Sequence, residues 1–502
     1  MPPSRTAESL RARTRIFVPA QRGSAPSAAA ADRAGGFWPR LLPLLALLTA
    51  ATRMPSWVRP LWNPDEGFLA TQARQLAAGG TLYGTVVDRK PPLLPWLYRG
   101  AFALFGDRSL WPLKAAALVA VLAGAVLLAS LARRRWGDRA GVVAGVCYVL
   151  ASVGLVPEDT QAATFEVFML PWTVLAIWCA DRGRWASAGL AVAGAVLTKQ
   201  TGGAVLIPVL CMLWQSRSGP WALARLLSAA AVPTAAAALA WGPGRLLFWM
   251  ATGSGSYASV DGALGYALGR ALANFGLLTA GCLAALVALL HAARRRIRLS
   301  ATADVWVWLG ASAVAVTAGF QFFGHYFLQL TPPVALLAAA AFEHMRPRTV
   351  VTVIVLNALV TTGFLAWAWL FPRDELGHQQ RLADVVSART TSTEPVLLWG
   401  MHPEAYWFAD RPPASRYLTA GFLTNFSGGR NGVRVGERYA MDGAWPYFRE
   451  ELSSDPPALV VDDSRGKPYG VAHIPTLRTF LARHYERAGT VDGAVLYVRS
   501  RS

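Results

Sequence analysis

The chain has 502 residues, 54% of them apolar and 15% charged, with a formal net charge of +19. So small a charged fraction, with a mean hydropathy of +0.34, excludes a disordered chain, a coiled coil and an ordinary soluble enzyme. Where the positive charge sits decides whether it means affinity for nucleic acid, so the apolar runs are taken first.

Residues 1–37, rich in Arg, Ser, Ala and Pro, read as a disordered basic tail. A hydrocarbon layer about 30 Å thick takes about 20 apolar residues per helix. Eleven runs are candidates, near 38–57, 110–132, 140–157, 164–180, 185–199, 201–215, 221–242, 272–292, 304–321, 326–344 and 349–371. The fifth and sixth are short and nearly continuous. The first begins too late for a cleaved signal peptide and is read as an uncleaved span. With the N-terminus inside, the inner segments carry 21 basic residues, whereas the outer loops after the first carry only Lys199, Arg245 and Arg270. The long first outer loop, 58–109, holds several more, and long loops follow the charge rule poorly. The charge is therefore topological, and no nucleic-acid partner is expected. The fold expected is an α-helical polytopic membrane protein of about eleven spans, with its N-terminus in the cytoplasm. The four cysteines, Cys147, Cys179, Cys211 and Cys282, all fall in spans and read as small packing residues. Only four residues are Lys, against 44 Arg, a bias that fits GC-rich coding and a bacterial source.

The polar residues of interest gather at the outer ends of the spans. In the first outer loop, Trp62-Asn-Pro-Asp65-Glu66-Gly67 opens an amphipathic stretch running to Ala78. Acids at a helix start cap it and suit its dipole; they could equally be catalytic carboxylates just above the bilayer. Next, Asp88-Arg89-Lys90-Pro91-Pro92 holds an ammonium on a stiff turn, followed by apolar Leu93, Leu94 and Trp96. Such a lysine suits a phosphate at headgroup depth, or anchors an interfacial helix. After the third span come Glu158-Asp159, which read as loop solvation, and Glu166, which enters the fourth span. An ionisable group there is a functional candidate or a paired carboxylate. Lys199 separates the fifth and sixth spans, and Gln321-Phe-Phe-Gly-His325-Tyr326 opens the tenth.

From about 372 the composition turns near-neutral, with 16 basic and 15 acidic residues to the end. A helix near 374–389 precedes a buried strand, Pro395–Gly400, and a short helix at 402–409. Another strand, Ala458–Asp463, is followed by a helix near 475–486. Two final strands, near 485–490 and 494–499, meet at Asp492-Gly493, a hairpin signal. Residues 372–502 are thus expected to form a small extracytoplasmic α/β domain. His402 and Glu404 lie beyond a strand end, where α/β folds often bind ligands, but read as a solvated turn.

Asp65-Glu66 in a long first outer loop, then Lys90-Pro91-Pro92 before the second span, resembles the GT-C class of integral-membrane glycosyltransferases. The similarity is greatest to the bacterial branch related to protein O-mannosyltransferases and lipid A aminoarabinose transferase. Thr164-Phe-Glu166-Val-Phe-Met-Leu-Pro171 is similar to the second acidic motif of that branch, with Glu where relatives carry Asp. His325-Tyr326-Phe-Leu-Gln-Leu-Thr-Pro332-Pro333 resembles its later basic-Tyr…Pro motif. The resemblance covers roughly 40–345 and implies a GT-C-like catalytic domain over 38–371. It implies transfer, with inversion, of a sugar from a polyprenyl-phosphate donor to a lipid, glycan or protein acceptor outside the cytoplasmic membrane. Asp65 would be the general base. Glu66 and Glu166 would orient sugar or acceptor, or bind a divalent cation such as Mg or Mn. Lys90 would stabilise the departing lipid phosphate, helped by His325, Arg245 or Arg270, among which the choice stays open. Glu158, Asp159, Lys199 and Tyr326 complete the candidate set. The rival readings are a secondary transporter and a noncatalytic envelope-assembly protein. A transporter should show internal repeats and ionisable groups at the bilayer midplane, and neither is visible.

Overall fold

The computed structural model describes residues 28–59, 61–253, 257, 263–429 and 433–500. Of the tail expected over 1–37, residues 1–27 lie outside the described residues, and from Ala28 the chain is helical. The chain falls into two compact units, residues up to 44, which carry the first half of α1, and residues 45–502, which hold the remaining elements.

The helices in order are α1 (Ala28–Val58), α2 (Pro64–Ala77), α3 (Leu93–Phe105), α4 (Trp111–Trp136), α5 (Asp138–Ala151), α6 (Pro157–Gln161) and α7 (Phe165–Ala180). Then come α8 (Trp185–Thr198), α9 (Leu206–Gln215), α10 (Pro220–Trp241), α11 (Pro243–Met250), α12 (Leu264–Gly281), α13 (Leu283–Arg294) and α14 (Ala303–Thr317). The last of the apolar set are α15 (Gly324–Phe327), α16 (Thr331–Phe342) and α17 (Pro347–Leu370). All eleven expected runs are helical, but the count of eleven spans does not follow. Among the described residues five helices are long and apolar enough to cross a membrane, or six if α12 and α13, bent by 83° at Cys282, count as one. The helices over 140–157, 164–180, 185–199, 201–215 and 304–321 are shorter. The first loop also holds an apolar helix of its own, α3, which begins at the Leu93 and Leu94 that follow Lys90-Pro91-Pro92.

Helices α5, α7 and α16 are buried on nearly every face and form the middle of the bundle. Uniformly apolar helices with no polar stripe can only be placed so, or in lipid. Proline at the first turn starts α2, α4, α10, α16 and α17, where its missing N–H costs nothing.

Beyond α17, α18 (Asp374–Arg389) leads into β1 (Val396–Trp399), α19 (Glu404–Ala409), α20 (Gly421–Thr424), α21 (Ala444–Ser454), β2 (Leu459–Asp462), α22 (Pro475–His484), β3 (Tyr485–Val491) and β4 (Ala494–Arg499). The sheet order is β1-β2-β4-β3. Strands β1 and β2 run parallel in the register Val396↔Leu459 to Trp399↔Asp462, and β4 is antiparallel to both β2 and β3. The β3–β4 turn is Asp492-Gly493 as expected, both residues at positive φ. One sheet face packs on α18 and α19 through Leu382, Val386 and Tyr406. The other face is continuous with Leu82, Val86 and Val87 of the first loop and with Leu246 and Trp249 of α11. The carboxyl ends of β1 and β2 are followed by the loops that carry His402 and Lys467, and both residues reach the cavity described next.

Candidate functional site

Helix α2 starts at Asn63-Pro64, with the Asn63 side chain accepting from the Glu66 N–H at 3.3 Å. This cap sets Asp65 and Glu66 on the first turn. Consecutive residues on a helix point about 100° apart, and the two acids accordingly diverge. Asp65 lines a cavity of about 840 Å³ between the helical bundle and the C-terminal domain. Glu66, expected to act on substrate, is fully buried away from that cavity. It takes the ammonium of Lys114, on α4, and the backbone N–H groups of Trp62 and Ala163, each at 2.7 Å.

Lys90 shares the cavity with Asp65. Its ammonium lies 5.2 Å from the Phe165 ring and 5.9 Å from that of Tyr326, and it makes no ion pair among the described residues. Burial works against its charge, but Tyr257, Asp65, Glu166 and Asp88 outweigh that and raise its pKa. Asp88 also lines the cavity. Burial pushes its carboxyl up to about 7, against the pull of Lys90 and with a further push from Asp65.

Lys199 lines the same cavity, 3.9 Å from the Tyr326 ring. Its ammonium is held by Glu166, which is buried and does not itself line the cavity. Glu166 also lies 4.0 Å from His325 Nε2, whose Nδ1 faces Asp159. Tyr326, Asp159 and Glu158 line the cavity too. Glu158 is exposed, as a solvated loop acid would be, and its carboxyl is raised from the ordinary value by partial enclosure and by repulsion from Asp159. His402 and Glu404 depart from the solvated turn expected. Glu404 is buried, and its Oε1 lies 3.0 Å from Nδ1 of His402, which reaches the cavity. Burial disfavours the imidazolium of His402, but Glu404, Glu375 and Asp463 raise its pKa overall.

Neither of the two arginines expected near the phosphate lines this cavity. Arg245 lines a separate pocket of about 440 Å³ with Tyr83, Trp249 and Arg416. Arg270 donates to the Gln321 carbonyl at 2.7 Å and stacks on Tyr266 and Phe323, whose rings rather than its own guanidinium meet the cavity. The sequence reading missed Asp88, Arg89, Gln200, Tyr257 and Lys467, all of which line the cavity, and Lys114, which does not. One signal was available. Of the four lysines in the chain, three (Lys90, Lys199, Lys467) line this cavity and the fourth holds Glu66.

The acids expected to hold a divalent cation do not converge, since Glu66 is committed to Lys114 and Glu166 to Lys199. Among the described residues the group with metal-like spacing is Glu375, His378 and Asp463 in the C-terminal domain. There Arg465 already contacts both carboxylates, at 2.6 and 3.2 Å. The residues present thus fit a charge-compensated network better than a metal centre.

Residues 89–241 match the family described as dolichyl-phosphate-mannose-protein mannosyltransferase. The structure is similar to the crystal structure of ArnT from Cupriavidus metallidurans bound to undecaprenyl phosphate. The TM-score is 0.61 at 16% identity, over 93% of this chain and 98% of that one. It is equally similar to the apo form of the same protein, with a TM-score of 0.60 at 17% identity over 92% and 98%. The chain has the GT-C fold. The comparison with curated proteins gives no match. The GT-C likeness spans both the helical part and the C-terminal domain, so the protein is a multi-pass membrane protein with a small α/β layer at its end. The matched stretch 89–241 contains Lys90, Asp159, Glu166 and Lys199, and leaves Asp65 and His325 outside it.

Proposed function

We propose that this GT-C protein transfers a sugar from a polyprenyl-phosphate donor to an acceptor hydroxyl on the outer side of the cytoplasmic membrane. One observation carries the reading. Among the described residues Asp65 is a carboxylate without hydrogen bond or ion pair and Lys90 an ammonium without an ion pair, and both face one cavity that also has aromatic lining from Phe68, Phe165, Phe323 and Tyr326. A lipid-phosphate donor is apolar at one end and negatively charged at the other. Its site needs a greasy approach, a cation at headgroup depth and a base above it.

In this reading Asp65 takes the proton of the acceptor hydroxyl as its oxygen attacks the anomeric carbon, on the face opposite the departing phosphate. The C–O bond to the phosphate breaks as the new one forms, which inverts the anomeric centre. Lys90 stabilises the negative charge left on the lipid phosphate. Its ammonium is available for that because no carboxylate among the described residues holds it. Lys199 is a weaker candidate for the same work, since Glu166 neutralises it. Helix α2 and the outer ends of α4 and α7 then face the extracytoplasmic side, with the N-terminus in the cytoplasm.

Two variants test this with the full chain in lipid nanodiscs. Asp65→Asn should bind undecaprenyl phosphate as the wild type does and fail to restore the missing envelope sugar in a deletion strain. Lys90→Met should bind undecaprenyl phosphate at least about tenfold more weakly, the loss of one charge-assisted contact. Mass spectrometry of envelope glycans and glycoproteins identifies sugar and acceptor. An unchanged envelope in the deletion strain, or full complementation by Asp65→Asn, refutes the assignment.

A further inference from the structure

Asp65 poses a geometric difficulty. A general base must stand within hydrogen-bond reach of the proton it takes, yet no side chain or backbone group among the described residues fixes its carboxylate. Its position is therefore set by the backbone of the first turn of α2, and two sets of contacts hold that turn from different sides.

On the bundle side, the buried Glu66 carboxylate receives three donors from three places: the Trp62 N–H before α2, the Lys114 ammonium on α4, and the Ala163 N–H just before α7. Lys114 also donates to the Gln161 carbonyl at 3.1 Å, and the Gln161 side chain donates to the Thr52 carbonyl of α1 at 3.0 Å. The Tyr98 hydroxyl donates to the Ala163 carbonyl at 2.8 Å. Ala163 lies three residues before Glu166, so one carboxylate ties the turn bearing Asp65 to the turn bearing the Glu166–Lys199 pair.

On the other side, α2 is seated on α19 of the C-terminal domain. Gly67 has no room for a Cβ, which would overlap the backbone of Glu404. One turn on, the Thr71 hydroxyl lies 3.3 Å from the Pro403 carbonyl, and a further turn on Arg74 donates to the Trp407 carbonyl at 2.9 Å. Arg74 also meets Asp107 at 2.7 Å and Asp410 at 3.0 Å. The contacts follow one face of α2, at spacings of four and three residues.

We propose that α2 is held in a two-sided clamp, with Glu66 and Lys114 on one side and α19 of the C-terminal domain on the other, and that this clamp positions the Asp65 carboxylate. Glu66 and Lys114 are then positioning residues rather than catalytic ones, and the C-terminal domain has a role in the reaction without contacting the reacting atoms. The part that concerns catalysis rests on Asp65 being the base, as argued above.

The test compares Lys114→Met, Lys114→Arg and Gly67→Ala with the wild type in nanodiscs, by three readouts. Amide hydrogen exchange over residues 61–70 should rise about tenfold or more in Lys114→Met and Gly67→Ala. Turnover of synthetic undecaprenyl-phosphate hexoses and pentoses, with an envelope fraction as acceptor, should lose about 100-fold in kcat in Lys114→Met, the scale of a misplacement near 1 Å. The KM for lipid donor and the affinity for undecaprenyl phosphate should stay within about twofold, because the Lys90 end of the site is untouched. Lys114→Arg, which keeps the charge, should recover part of kcat. Unchanged exchange at 61–70 overturns the clamp. So does a parallel loss of kcat and lipid affinity, the mark of a general collapse. If Lys114→Met does not fold, Gly67→Ala decides: it keeps every ion pair, and an unaltered kcat refutes the proposal. Failure of the wild type to turn over any lipid-linked sugar defeats the transferase reading, while hydrogen exchange still judges the clamp.

Discussion

Asp88→Asn offers the most direct check on the electrostatics of the cavity. Asp88 is 6% exposed, and burial lifts its carboxyl from the ordinary 3.8 to about 7, with Lys90 opposing and Asp65 adding. An acid whose folded pKa is raised keeps a proton that the unfolded chain has already released. Between about pH 4 and pH 7 the folded chain therefore binds more protons, and stability falls as the pH rises through that window. At about 1.4 kcal/mol per pH unit the full loss is about 4 kcal/mol, reached above pH 7. Asparagine has the shape of the protonated acid and never ionises. The variant should match the wild type near pH 4, pull ahead steadily to pH 7, and keep a constant advantage above it. The assay is the midpoint of thermal inactivation in nanodiscs from pH 4.5 to 8.5, read for both proteins in one buffer series. A difference independent of pH, or a variant less heat-resistant than the wild type at pH 8, refutes the reasoning. If the proposed donor site is right, undecaprenyl phosphate affinity in the wild type should weaken as the pH passes about 7 and Asp88 charges beside Lys90, a dependence Asp88→Asn should flatten.

Lys199→Met leaves the Glu166 carboxylate buried with its ammonium gone and should cost about 3–5 kcal/mol in chemical unfolding. The double variant with Glu166→Gln should recover most of it. Gly154, in the turn after α5, would place a Cβ 2.7 Å from Gly281 Cα at the end of α12. Gly154→Ala should therefore destabilise by about 1–3 kcal/mol in the same assay, an overpacking penalty. Arg245→Ala removes a residue of the separate 440 Å³ pocket and should leave undecaprenyl phosphate affinity within about twofold, in contrast to Lys90→Met; a tenfold loss would return Arg245 to the donor site.

What the sequence made legible follows from the range of each signal. Apolar runs and turn residues are local, so the helices and the Asp492-Gly493 hairpin stand where periodicity and turn chemistry put them. Asp65 and Lys90 were legible because one loop carries both, and a loop of some fifty residues between two spans confines its polar groups to one end of the bundle. Length misled where local signals compete. Runs such as 140–157 contain residues apolar enough to span, but Gly137 before α5 and the turn at Ser152–Gly154 after it cut the helix to 14 residues.

The roles of the acids illustrate the limit better than any count. Asp65 and Glu66 are neighbours in sequence and identical in charge, and either could be a base. What separates them is a rotation of about 100° around a helix, which turns one into a cavity and the other onto Lys114, 48 residues away in the chain. That partner sits among alanines and leucines at the start of a span, where a lone lysine looks like a snorkelling residue. Nothing short of the packing of α2 against α4 reveals it as the counter-ion of Glu66, the neighbour of the proposed base. The same holds for Arg245 and Arg270: only three-dimensional packing keeps them out of the cavity while bringing in Lys467 from the far end of the chain. Depth in the membrane is encoded locally and can be read, whereas direction within the plane is set by pairs of helices distant in sequence, and it is direction that assigns chemistry.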